Sequence, residues 1–464
     1  MNTRMGGIVC LIVFLLSTGV QGCAYLLNIG PLTMPDPGLH AVAPYALATG
    51  QTLNPVISQR DQIGNIRRIQ PIQAPASLIG EHTHARNATV TGILYTDGSF
   101  FSRDEQREQQ YQSLTADATF ISGNGRSNQY PPLAYLPQSI GMRVALNARR
   151  SMWTVLQWGR YANLLAFMIA AGTAILLAGR ARWMLCMVGM NPVSVFCASS
   201  LMGDATLIAA GMLTVGLFIR LLDHPDGRFA RLLPIPLGVL ALLFATKIVY
   251  LPLLVPFLAV PSRHSVLRRF VTGLLVLLPA LVLLAWWSIR YQYVPIGLGV
   301  KLASNRTWIV SHPIRTMIVI SANMLAYVQR EPFSSMLSLL MPVLIALFFL
   351  YARRPVVLPS GGEAERSTRR YHRRLNRVFQ PFMPIIDWAS AYRFTICTVL
   401  SCALSLGLMF GSLLVTWTPT ASLTRGIPVL PGFQERYLWP LLPLLALPAW
   451  DARRDRQKNL RKIC

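Results

Sequence analysis

The chain has 464 residues, of which 53% are hydrophobic and 13% charged, with a formal net charge of +25. Soluble globular proteins are roughly 25% charged, so this composition excludes a water-soluble enzyme, and a mean hydropathy of +0.43 agrees. The positive charge does not indicate nucleic acid: basic residues stand between apolar runs and at the C-terminus, and no basic, aromatic-interleaved soluble domain carries them.

The first apolar run, Gly7 to Gly30, follows a short start carrying Arg4. Val20-Gln21-Gly22-Cys23 is similar to a lipoprotein cleavage box. The apolar character continues through Tyr25-Leu26-Leu27, however, which predicts an uncleaved first helix of near-spanning length. A long polar stretch over residues 31–150 comes next, with Asn-Gly and Pro-Pro turns and no spanning run, and predicts a folded loop. Further runs stand at Trp158–Ala178, Trp183–Ser200, Ala205–Leu222, Leu232–Ala245, Val249–Val260, Phe270–Ile289, Met336–Tyr351, Ala391–Trp417 and Tyr437–Trp450. The stretch Ile314–Val328 is half apolar and is expected along the membrane interface.

These runs are continuous rather than alternating, so a β-barrel is excluded and helices remain. The expected fold is an all-α polytopic membrane protein of about ten transmembrane helices with a large first loop. With the N-terminus in the cytoplasm, Arg180 and Arg182, Arg263, Arg268 and Arg269, the basic loop 353–390 and the basic tail 451–464 all fall on the cytoplasmic side. The loop 31–150 then faces outward, and both termini are cytoplasmic. The seven cysteines lie mostly in or beside apolar runs without a CxxC pair and read as small core residues.

No phosphate-binding glycine loop or dinucleotide fingerprint is present, so chemistry is expected on the outer face with a substrate already activated in the membrane. Four polar features stand there. Asp36, between Pro35 and Pro37 and ahead of His40, reads as a general base, as a ligand for a divalent cation, or as a helix cap. Tyr130-Pro131-Pro132 precedes a re-entering helix and reads by default as an aromatic anchor. Asp204 occupies a tight tip between two runs, and Lys247 stands between two short ones; each is an ionisable group at membrane depth. The bland readings are a cap for Asp204 and snorkelling for Lys247. Gln434-Glu435-Arg436-Tyr437 precedes the last run, where an arginine can fork onto a phosphate or simply anchor the interface. Glu81-His82-Thr83-His84 is only weakly metal-like.

In their order, these motifs resemble the bacterial membrane proteins grouped as domain of unknown function 2142. The residues that carry the resemblance are Pro35-Asp36-Pro37-Gly38-Leu39-His40, Tyr130-Pro131-Pro132 with Tyr135, Gly159-Arg160-Tyr161-Ala162-Asn163, Asp204, Lys247 with Tyr250, and Gln434-Glu435-Arg436-Tyr437. Pro37 and Glu435 depart from the family pattern, which usually has Glu and Gly there. The family looks like the C-type glycosyltransferases (GT-C). That resemblance implies a polyprenyl-phosphate-linked sugar donor, a glycan acceptor of the cell envelope, Asp36 as catalytic carboxylate assisted by His40, and Arg436 and Lys247 on the lipid phosphate. Tyr130, Asp204, Gln434 and Tyr437 complete the expected substrate-binding set. The rival readings are a flippase of lipid-linked saccharides and a non-catalytic envelope scaffold.

Overall fold

The computed structural model describes residues 3–32, 34, 37–55, 57–60, 66–69, 72–73, 120–121, 131–224, 228–259, 266–291, 299–330, 393–424, 426–430 and 432–448. The expected run Met336–Tyr351, the basic loop 353–390, the tail 451–464, His82, His84, Asp36 and Tyr130 lie outside these residues.

The described chain is mostly helical. Its helices are α1 (Thr3–Asn28), α2 (Pro37–Ala48), α3 (Leu136–Asn147), α4 (Met152–Leu177), α5 (Arg182–Met190), α6 (Pro192–Ala198) and α7 (Asp204–Asp223). There follow α8 (Arg228–Leu232), α9 (Pro234–Phe244), α10 (Val266–Arg290), α11 (Leu302–Ser311), α12 (Pro313–Arg330) and α13 (Arg393–Thr416). Two longer segments, Ala245–Ala259 and Glu435–Leu445, are wound as 3-10 helix, and each carries two internal prolines. The first loop contributes two small antiparallel ladders. One pairs Ile57–Arg60 with Ile66–Ile69, and the other pairs Ile72–Gln73 with Phe120–Ile121.

Six of the described helices are long and apolar enough to cross a bilayer: Met5–Asn28, Met152–Leu177, Asp204–Asp223, Pro234–Phe257, Val271–Arg290 and Phe394–Thr416. A seventh is reached if α11 and α12, bent by 107° at His312, count as one broken span. Among the described residues, several of the expected runs are therefore not continuous α-helical spans as read from the sequence, and the reasons are local. The run Trp183–Ser200 is split where Asn191 caps α6, its side chain accepting from the Val193 amide, with Pro192 in the first helical position. The runs Leu232–Ala245 and Val249–Val260 form one apolar stretch broken at Lys247, whose backbone (φ −136°, ψ 94°) is not helical. The run at Tyr437 becomes 3-10 around Pro440 and Pro443, because proline withholds an amide and clashes with the preceding turn of an α-helix.

One core holds most of the elements together. Phe14 of α1, Phe167 of α4, Phe218 of α7, Tyr250, Phe394 and Trp439 are all buried in it. Lipid supplies no hydrophobic drive between helices, so close association depends on small residues that let backbones approach. A β-carbon on Gly141 of α3 would stand 2.2 Å from the Trp158 carbonyl oxygen of α4. One on Gly211 of α7 would stand 2.4 Å from the carbonyl oxygen of Pro440. The outward faces of the long helices are apolar instead: Leu16 and Val20 of α1, Leu165 and Ile169 of α4, and Leu275 and Val282 of α10 are exposed, as lipid contact requires.

The start of the first loop docks on the bundle. Arg143 donates to the Ala48 carbonyl at 2.9 Å, Arg290 to the Leu53 carbonyl at 2.9 Å, and the Tyr291 hydroxyl to the Thr52 carbonyl at 2.9 Å. Six cysteines are described; none forms a disulfide, and Cys10, Cys186 and Cys197 are buried.

Candidate functional site

Asp204 opens α7. The N-cap is Gly203, so the expected capping role does not fall to this carboxylate, although the helix N-terminus still favours a negative charge there. The side chain is 1% exposed, and its two oxygens meet two cations. Lys247 Nζ lies 2.5 Å from Oδ1, and Arg436 Nε lies 3.3 Å from Oδ2. Arg436 is 2% exposed and Lys247 17%.

Three sequence-distant segments have to be fixed to assemble this triad. Lys247 reaches it because the apolar stretch breaks at that residue. From there the chain runs alongside α7: Lys247 meets Asp204 at one level, and the Phe257 ring meets the Phe218 ring at 5.1 Å further along. Arg436 reaches it because the segment Glu435–Leu445 also runs beside α7, locked at Gly211 against Pro440. The Tyr250 hydroxyl donates to the Tyr437 carbonyl at 3.0 Å and ties these two segments to each other. The Tyr437 ring lies under both cations, with Lys247 Nζ at 4.7 Å and the Arg436 guanidinium carbon at 5.7 Å from its centre. The Gln434 carbonyl accepts from the Tyr437 amide where the chain enters the 3-10 turn.

His40 of α2 stands beside this group. It is buried, and its Nδ1 shares a 2.9 Å hydrogen bond with the Tyr135 hydroxyl. The Tyr135 ring in turn packs on Gly203, where an added β-carbon would meet it at 3.2 Å. The structure therefore gathers His40, Asp204, Lys247, Arg436 and Tyr437 at one end of the bundle, with Gln434 alongside.

Two residues that sequence reasoning quoted but gave no task hold this end in shape. Arg160 of α4, 2% exposed, donates to four acceptors: Ser199 carbonyl (2.6 Å), Ile29 carbonyl (2.8 Å), Tyr25 carbonyl (3.0 Å) and Gln157 Oε1 (3.1 Å). The backbone acceptors lie at or just past the C-terminal ends of α1 and α6, where unpaired carbonyls and the helix dipole both favour a cation. Asn163, one turn further, donates to the Cys197, Ser200 and Met202 carbonyls at 3.1, 2.9 and 3.4 Å. Together they pin the turn 199–203 that presents Asp204. The available signal was polar residues in the first turns of an apolar run, which are functional or structural by default.

Chemically, the site is a carboxylate shared by two cations, floored by an aromatic ring and flanked by a histidine–tyrosine pair. Both Asp204 oxygens face cationic side chains, which favours a role in positioning Lys247 and Arg436. Among the described residues no group of three or more His, Cys, Asp or Glu could hold a metal ion.

Fold and site thus define a polytopic helical membrane protein with a buried ionic cluster at one end of its bundle. The chain belongs to the DUF2142 family, described as a predicted membrane protein, whose profile matches residues 22–445, nearly the whole chain. No curated protein and no solved structure matches it.

Proposed function

We propose that this protein is a membrane glycosyltransferase of the GT-C type, taking a sugar from a polyprenyl phosphate on the extracytoplasmic face and modifying a cell-envelope glycan. The observation that carries the reading is the pair of cations, Lys247 and Arg436, held on one buried carboxylate beside His40. Outside the cytoplasm no nucleotide sugar is available, so the leaving group is a lipid phosphate, and cations in a low-dielectric site hold such a group far better than in water. In this scheme Asp36, four residues before His40, removes the acceptor hydroxyl proton; Arg436 and Lys247 hold the phosphate; Tyr130, Gln434 and Tyr437 line the substrate; and Asp204 positions the cations. In the same scheme the loop 31–150 faces outward, and the termini and the loop 353–390 are cytoplasmic.

A transfer assay with labelled polyprenyl-phosphate sugars in proteoliposomes tests the proposal. Wild type transfers label to a glycan acceptor, and Asp36→Asn abolishes transfer without loss of folded protein. Equal transfer by both would remove Asp36 from the mechanism, and no transfer by wild type with any donor tried would favour the rival reading. That rival, a flippase of lipid-linked saccharides, draws on the helix breaks at Asn191–Pro192 and at Lys247, since transporters use interrupted helices at their sites.

A further inference from the structure

The helix α12 of the pair α11–α12 is amphipathic in the inverted sense. On α12 the buried face is Thr316, Val319 and Asn323, while the exposed face carries Ile314 (77% exposed), Met317 (70%), Ile318 and Leu325. The polar members of the buried face are engaged. Asn323 donates to the Pro428 carbonyl at 2.9 Å and accepts from the Leu430 amide at 2.9 Å. Water is the wrong solvent for such an outer face, and a contiguous apolar surface of this kind marks contact with lipid or protein.

Position and charge choose between these. Val319 clusters with Phe410, Leu413 and Leu414, in the last turns of the candidate spanning helix α13, so α12 packs on that helix near its end, where a span leaves the hydrocarbon core. The span it packs on also exposes apolar residues, Leu400, Leu404 and Leu408. From residue 301 to residue 330 there is no Asp or Glu, whereas Lys301, Arg306, Arg315 and Arg330 are all basic. Basic residues beside an apolar face, with Trp308 at the bend, are the recognisable make-up of an element lying in an anionic lipid interface.

The bend itself forms a groove. The 107° turn at His312 opens an open, mainly apolar hollow of about 610 Å³ lined by His312, Ile314, Arg315, Ile318 and Ile427. Arg315 is oriented there by a 3.1 Å hydrogen bond to the Gly426 carbonyl and by the Trp308 ring, 5.7 Å from its guanidinium carbon. An apolar floor with a guanidinium at its rim matches a lipid with a phosphate head and an acyl chain.

We infer that α11–α12 lies in the bilayer interface and that its bend binds the headgroup of an anionic phospholipid, with Arg315 against the phosphate and Ile314, Ile318 and Ile427 against the acyl chain. Asn323 ties α12 to the segment 428–430, which precedes Gln434 and Arg436 in the chain.

The test uses the full-length protein with benzoylphenylalanine, a photo-crosslinker, in place of Met317. It is reconstituted into phosphatidylcholine vesicles containing a minority of phosphatidylglycerol, irradiated, and its adducts are identified by mass spectrometry. Lipid adducts are expected, with phosphatidylglycerol several-fold over-represented relative to its share of the bilayer. Arg315→Gln should bring that ratio to parity with total lipid adducts unchanged, and Arg315→Lys should keep a preference. A covalent dimer in place of lipid adducts would overturn the inference in favour of a second copy of the chain. Absence of lipid adducts would overturn it in favour of a water-facing element. A wild-type ratio at parity would overturn the headgroup site. None of these readings depends on whether the protein transfers sugar.

Discussion

Two buried arginines, each 2% exposed, are held in opposite ways. Arg160 meets three carbonyls and an amide oxygen, with no carboxylate among its described hydrogen-bond partners, so helix ends balance its charge. Arg436 meets a carboxylate that it shares with Lys247, over an aromatic ring. The first arrangement is saturated by backbone and belongs to architecture. The second gathers side-chain charges at one depth and belongs to a site. An intramembrane charge is therefore informative only once its partners are known.

The comparison can be broken most sharply at Asp204. Asp204→Asn leaves two cations facing each other without their shared carboxylate, and losing one partner of a buried ion pair costs about 3–5 kcal/mol. A large drop in thermal midpoint in detergent is expected, with part of it recovered by adding Lys247→Met. A midpoint unchanged by Asp204→Asn would mean that the cluster is hydrated and that its charges are not coupled.

Next in size is Arg160→Met, which removes a charged donor from carbonyls that then lack a partner, at about 2–3 kcal/mol. Arg160→Lys should recover only part of this, since an ammonium cannot reproduce the guanidinium fork. Full recovery by lysine would show that charge alone, and not the four-acceptor geometry, holds the turn 199–203.

Gly211→Val should cost about 1–3 kcal/mol by overpacking against the Pro440 carbonyl. Because that contact sets the level of Arg436, the variant should also weaken polyprenyl phosphate binding. Equal ligand response in Gly211→Val and wild type would separate the helix contact from the site.

Much of the fold follows from composition and run length. The apolar runs at Gly7–Gly30, Trp158–Ala178, Ala205–Leu222, Phe270–Ile289 and Ala391–Trp417 all correspond to long helices, because in lipid an apolar run has little alternative. The breaks were partly legible: Asn191-Pro192 is a helix start signal inside an apolar run, and Pro440 and Pro443 disfavour an α-helix. The break at Lys247 was legible as a charge between two short apolar runs, although no proline or glycine marks it; that both runs belong to one bent stretch was not. The partner that Lys247 meets there, Asp204, is 43 residues away in sequence, which no local pattern displays. The same limit applies to the site. Asp204, Lys247 and Arg436 are recognisable singly as costly charges in apolar surroundings, but their pairing is a tertiary fact. So is the role of Arg160 and Asn163, whose acceptors are backbone carbonyls that no sequence pattern displays.

The comparison of the two arginines is tested most directly by ligand-dependent thermal stability of the purified protein with polyprenyl phosphate. Wild type should be stabilised in a concentration-dependent way. Arg160→Lys, less stable at the outset, should keep the full upward shift, whereas Arg436→Lys, starting close to wild type, should lose most of it. The opposite pattern, with the shift kept in Arg436→Lys and lost in Arg160→Lys, or no shift in wild type, would contradict the assignment of the Asp204 end as a lipid-phosphate site.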